Sequence, residues 1–187
     1  MTDPNDAIID RLLPLIPRLG WTSRALAEAA GDGPLAESAF PRGVRDAIAA
    51  WSAMADRRMA EAAAAEGLEG LKVPARIRRV IAIRLEQAQP HKPAMRDALG
   101  LLALPWNALL SARLAAATVS AMWYAAGDKS ADFSWYTRRA TLGAIYGATL
   151  AFWLRDPSPD LDKTLEFLDR RLADHARLHR IIPRRAA

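Results

Sequence analysis

Residues 21–40 read WTSRALAEAAGDGPLAESAF. Thr22 or Ser23 suits the residue that caps a helix start, because its hydroxyl can accept from a free backbone N–H. SRALAEAAG then forms a short helix that Gly31 closes. PLAESAF forms another, stopped by Pro41 and Gly43. Upstream, Asp3, Pro4 and Asn5 cap a first helix carrying Ile8, Ile9, Leu12, Leu13 and Ile16 at helical spacing, which Pro17 and Gly20 end. Three short helices therefore open the chain, and the rest reads as longer ones.

Residues 44–66 form an alanine-rich helix with Val44, Ile48, Trp51 and Met54 on one side. Pro74 opens the next, with Ile77, Val80, Ile81 and Leu85 inward and Arg76, Arg78, Arg79 and Arg84 largely outward. Pro90 and Pro93 frame a break. Pro105 occupies the first turn of a helix running to about 126, where its missing N–H costs nothing. Gly127 follows as a natural terminator. Asp132 caps a helix over 133–155, and Pro157 starts the last long one. Alanine and leucine favour helix, and Val/Ile/Thr alternation is missing, so the expected class is all-α. About nine helices form one compact unit, with an N-terminal part over 1–43 and a ligand-binding and dimerisation part over 44–187.

Composition narrows the function. Hydrophobic residues make up 51% of 187, enough for a real core. Without cysteine there is no disulfide framework, thiolate metal site or cysteine nucleophile. No GxSxG motif, glycine-rich phosphate loop or paired ExxH motif is present, so no enzyme class and no cofactor is indicated. His175 and His179 stand four apart without a third ligand nearby, so no metal is expected. No apolar run is long and uncharged enough to cross a membrane. The stretch 101–126 comes closest but contains Pro105, Asn107 and Arg113. No signal peptide opens the chain. The expected location is cytoplasmic, with peripheral contact to the inner membrane.

Short helices followed by longer ones resemble the layout of TetR-type regulators, whose second and third helices form a DNA-reading helix-turn-helix. Here the third helix offers Leu35, Ala36, Glu37, Ser38 and Ala39, with no base, and the turn holds Asp32. Arg42 alone does not supply the several phosphate contacts that binding needs. The helix-turn-helix thus reads as vestigial, and no nucleic-acid partner is expected despite the net charge of +5. A TetR-type ligand-responsive repressor is the alternative.

Residues 123–140, WYAAGDKSADFSWYTRRA, carry a further resemblance together with LPWN at 104–107 and RDPSPDL at 155–161. Met122-Trp123, Ala126-Gly127-Asp128, Ser130, Asp132-Phe133, the run Trp135 to Ala140, Ala144-Ile145-Tyr146 and Ser158-Pro159-Asp160 are the matching residues. Gly20-Trp21-Thr22 and Pro41-Arg42-Gly43 agree near the N-terminus. On these the chain resembles the Coq-nine family of ubiquinone-biosynthesis accessory proteins. The resemblance implies a TetR fold turned to lipid binding. It implies a homodimer that takes an isoprenoid quinone or a phospholipid and assists the demethoxyubiquinone hydroxylase. It also marks Leu104, Pro105, Asn107 and Trp123 as hydroxylase-facing, with Trp106 between them in place of the family's more usual His. On that reading Trp123→Lys weakens the partner contact and leaves helical content intact.

The residues also speak for themselves. Apolar positions surround the helix 106–126 on several faces, as in a helix that is buried all round or lines a cavity. Gly143, Gly147 and Ala151 recur every four residues, so the next helix has a low-relief face, suited to close helix packing or to a ligand groove. Leu109, Leu110, Leu114, Met122, Trp123, Tyr146 and Leu150 are the candidate lipid-lining residues. The same pattern suits plain core. Asp128 and Asp132 are placed to pair with Arg138 and Arg139 at a fixed corner. The last helix carries Leu161, Leu165, Leu168, Leu172, His175, His179 and Ile182 in a seam suited to docking, then a basic tail with Arg177, Arg180, Arg184 and Arg185.

Overall fold

The structure is a computed structural model that describes residues 5–31, 38–127 and 134–181, the side chains of 134–136 and 178–181 excepted. Nine α-helices are described: α1 (Asp6–Leu12), α2 (Ile16–Leu19), α3 (Ser23–Ala30), α4 (Val44–Glu66), α5 (Val73–Ala88), α6 (Lys92–Leu102), α7 (Ala108–Ala125), α8 (Ser134–Arg155) and α9 (Asp162–Ile181). Ser38 and Ala39 are also helical, and no strand occurs among the described residues. The all-α reading stands.

The start of the chain departs from its sequence reading. Pro14 and Pro17 each sit at the start of a new turn, so they partition the first helix into α1, a 3₁₀ turn and α2 without ending it. Gly20, at φ 65°, ends it. Thr22 accepts from the Ala25 N–H at 3.2 Å and begins α3. Most of the predicted third helix, including Leu35, Ala36 and Glu37, and Asp32 of the turn before it lie outside the described residues, as do Asp128, Ser130, Asp132 and Phe133.

Helix α4 is the spine. It buries Ala47, Ile48, Trp51, Met54, Met59 and Ala63 along one side. On its other side Arg57 pairs with Asp6 and Arg58 with Asp10, fastening α1. Trp51 meets Trp21 at 5.5 Å between ring centroids, and the Trp21 indole donates to the Ala94 carbonyl at 3.0 Å. The core thus joins the short N-terminal helices to α4, α6 and the long helices in one apolar cluster.

The last helix begins at Asp162, not Pro157. Asp156 accepts from the Ser158 N–H and Asp160 from the Asp162 N–H, so these carboxylates hold the preceding residues in turns that keep them from continuing a helix. Leu168 is fully buried, and Leu161, Leu165 and Leu172 pack beside it. Leu161, Leu165, Leu168 and Leu172 of that seam are therefore spent within the chain, and residues beside them add to the hold: Phe167 stacks on Phe152 of α8 at 4.6 Å, and Asp169 takes two hydrogen bonds from Arg78 of α5. Four contacts fix the far end of α8. Trp153 donates to Gln89 at 2.6 Å, Gln89 donates to the Pro159 carbonyl, Lys92 to the Asp156 carbonyl and Arg96 to the Leu154 carbonyl.

Candidate functional site

A cavity of about 190 Å³ lies among α4, α5, α6, α7 and α8. Two stripes build it. Ser111, Leu114, Ala115, Thr118 and Val119 follow the i, i+3, i+4, i+7, i+8 spacing of one face of α7. Gly143, Tyr146, Gly147 and Leu150 do the same on α8. A Cβ built at Gly147 would meet nothing within 4 Å, so the missing side chain leaves open space. Ile48, Trp51 and Ser52 from α4, Arg84 from α5, and Met95, Ala98, Leu99 and Leu102 from α6 complete the wall. Ala115 and Gly147 are exposed although they line the cavity, so the seam between α7 and α8 is its mouth.

The inner end is polar. Arg84 and Asp56 leave only 6% and 10% of their side chains exposed and meet at 3.3 Å through the Arg84 Nε–H. Thr118 donates to the other oxygen of Asp56 at 2.9 Å. Burial pushes the Asp56 carboxyl up, and Arg84 and Thr118 pull against it. Burial likewise pushes the Tyr146 phenol up, so it stays a neutral donor at pH 7.

Of the sequence-predicted lipid residues, Leu114, Tyr146 and Leu150 line this cavity. Leu109 does not: it is 66% exposed. It stands five positions before Leu114, which is about 140° around a helix turning 100° per residue. Met122 and Trp123 are buried in the core, away from the lining. Leu110 lines a second cavity of about 220 Å³, together with Leu104, Trp106 and Asn107. The two cavities share Ile48 and Leu102 as walls.

The predicted partner surface is brought together only in part. Trp106 is 69% exposed and Pro105 is exposed. Asn107 is buried and donates to the Leu101 carbonyl at 2.8 Å, so it shapes the start of α7 instead of facing outward. Trp123 is 7% exposed with its indole N–H buried and unpartnered, so in this chain it is a core residue and no surface contact. The aromatic beside it, Tyr124, is the exposed one, and Arg139 of α8 lies over its ring at 5.7 Å. Arg42, read as a phosphate contact, is taken up by Asp46. The basic tail beyond Ile181 lies outside the described residues, and no single described helix is long and apolar enough to cross a membrane.

The sequence reading missed Arg84, which it placed outward, and Asp56. Both carry a periodic signal. Arg84 stands three and four residues from Ile81 and Val80 and four from Ala88, all buried. Asp56 stands three before Met59 and seven before Ala63. A charge inside an apolar stripe is the mark of a buried pair.

Comparison with known proteins places this geometry. The family model described as COQ9 matches residues 108–179, which hold α7, most of α9 and the mouth between α7 and α8. The chain is 34% identical over 177 residues to the human mitochondrial ubiquinone biosynthesis protein COQ9. The chain belongs to the COQ9 family. That alignment covers 89% of this chain and 56% of the human protein. With the Drosophila melanogaster COQ9 the identity is 29%, covering 94% of this chain and 56% of that one. The chain thus spans little more than half the length of the COQ9 proteins it matches. A TetR transcriptional regulator from Nitrosomonas europaea superposes with a TM-score of 0.76 at 26% identity, over 93% of this chain and 99% of that one. The fold of this COQ9 chain is TetR-like.

Proposed function

We propose that this chain acts in ubiquinone biosynthesis as a non-enzymatic accessory protein that binds a lipid or isoprenoid quinone intermediate and presents it to a hydroxylase. The observation that carries this is an apolar cavity whose mouth, between α7 and α8, lies in the segment that matches the COQ9 family. Apolar burial drives such binding at about 25 cal/mol per Å². The small exposed residues Ala140, Ala144, Ala148 and Ala151 of α8 support pairing with a second copy through this face. Exposed Trp106 and Leu109 support a partner contact at the start of α7. The demethoxyubiquinone hydroxylase is the partner this reading names. A peripheral position at the inner membrane fits a carrier of this kind.

The test is mass spectrometry of lipid that co-purifies with the native protein. Isoprenoid quinones or phospholipids at near one per chain or per dimer are expected, and lipid-free protein that also fails to take up added lipid would sink the reading. The likeness to a TetR transcriptional regulator favours a second reading, a ligand-responsive repressor. A mobility-shift assay separates the two: tight, salt-sensitive and sequence-specific binding to the DNA upstream of its own gene is expected only of the repressor.

A further inference from the structure

We infer that the inner end of the cavity is a head-group site, built to take a neutral, oxygen-bearing ring whose oxygen accepts hydrogen bonds from Arg84 and Tyr146. This deepens the lipid-binding reading and rests on it. Volume is the first argument. At about 190 Å³ the space is below the range of pockets for drug-sized ligands, about 300–1,000 Å³. It is close to an apolar cavity of about 150 Å³ that takes benzene. One substituted ring fits, and a long polyprenyl chain does not. The chain of such a guest leaves by the mouth at Ala115 and Gly147.

Hydrogen bonding is the second. A guanidinium has five N–H donors. Arg84 is on the cavity wall with 6% of its side chain exposed, and among the described residues its one hydrogen bond runs from Nε to Asp56 at 3.3 Å. The Tyr146 hydroxyl, which lines the same cavity from α8, also has no hydrogen-bond partner among them. Neither group is among the side-chain atoms buried without a partner, so these donors stay open to the cavity, where a guest that brings an acceptor takes the place of water. Charge is the third. Arg84 and Asp56 sum to zero, so a second anion beside Asp56 gains no surplus positive charge. A carbonyl or phenol oxygen suits the site better than a carboxylate or phosphate.

The test titrates the intact protein calorimetrically with three probes: a tailless dimethoxy-methyl-benzoquinone, decanoate and dodecanol. The quinone is expected to bind more tightly than decanoate. The double substitution Asp56→Leu with Arg84→Met removes the charged pair together, which leaves no orphan charge. It is expected to weaken quinone binding at least about tenfold, and dodecanol binding, which rests chiefly on apolar area, by a clearly smaller factor. Tyr146→Phe, which keeps the ring, is expected to weaken the quinone roughly threefold to tenfold, the worth of one hydrogen bond. Should the double variant not fold, Tyr146→Phe decides. Decanoate binding more tightly than quinone, or quinone binding unmoved in these variants, overturns the head-group site. Dodecanol binding without quinone binding overturns it too, but leaves the lipid-binding reading standing. Failure of all three probes removes both.

Discussion

Helices α4 and α7 pack against each other and are built from similar material, yet they end differently. Helix α4 is apolar on one side and charged on the other. Its outer arginines pair with Asp6 and Asp10. Helix α7 buries Thr118, Val119, Met122 and Trp123, but its outer side, Arg113 apart, remains apolar, with Leu109, Ala112, Ala116 and Ala117 exposed. A helix with more apolar surface than its own fold buries has surface to offer something else. The first is finished within the chain, and the second is not.

Charge insertion breaks that comparison most severely. Trp123→Lys places an unpaired ammonium in the core and is expected to cost about 3–5 kcal/mol or more, seen as loss of cooperative melting by circular dichroism. Trp51→Ala on α4 is expected to cost about 3–5 kcal/mol by the same measurement, through the cavity it leaves. Leu109→Lys, on the outer side of α7, is expected to stay within about 0.5 kcal/mol of the parent. A large loss there would mean that α7 is already covered in solution. Gly147→Ala on α8 is expected to stabilise by about 0.5–1 kcal/mol, because a helical glycine gives way to a residue with room for its Cβ.

Titration of the outer side of α4 is a similarly small effect. Arg58 holds the Asp10 carboxyl below its ordinary value. Its stabilisation is present above the unfolded value of about 3.9 and is lost as pH falls through the lowered one. Both side chains are nearly half exposed, so about 0.2–1 kcal/mol is expected, and Asp10→Asn should remove that acid-side loss. Buried Asp56 runs the other way. Its raised value gives stability that is full below about 3.9 and lost as pH rises through that raised value. Urea melts across pH 3–7 of the parent, Asp10→Asn and Asp56→Asn resolve the two opposite slopes.

Much of the helix plan was legible because Pro and Gly punctuate it: Gly20, Gly31, Pro74, Pro105 and Gly127 fall at or beside element boundaries. Pro17 misled because a proline at the start of a turn is as acceptable as one beyond its end. The cavity was half legible. Leu114, Tyr146 and Leu150 follow from the small-and-large alternation of α7 and α8. Leu109 and Trp123 could not be sorted in advance. On a helix that is apolar all round, periodicity carries no direction, and only the neighbours decide which face is covered. Arg84 was misplaced because arginine was assigned to solvent by type, although its spacing put it with Ile81 and Ala88.

The fastening at the far end of α8 has a mechanical consequence. Gln89, Lys92 and Arg96, from one short stretch of chain, grip Trp153, Leu154, Asp156 and Pro159. Two of these grips put cations on carbonyls at the negative end of the helix. Axial sliding of α8 would break them together, whereas a small tilt about that end would spare them. Gly143 and Gly147 lie two to three turns away, where a few degrees of tilt become an ångström of clearance. Any tilt about that end would therefore alter the width of the gap beside Ala115 before it strained those grips.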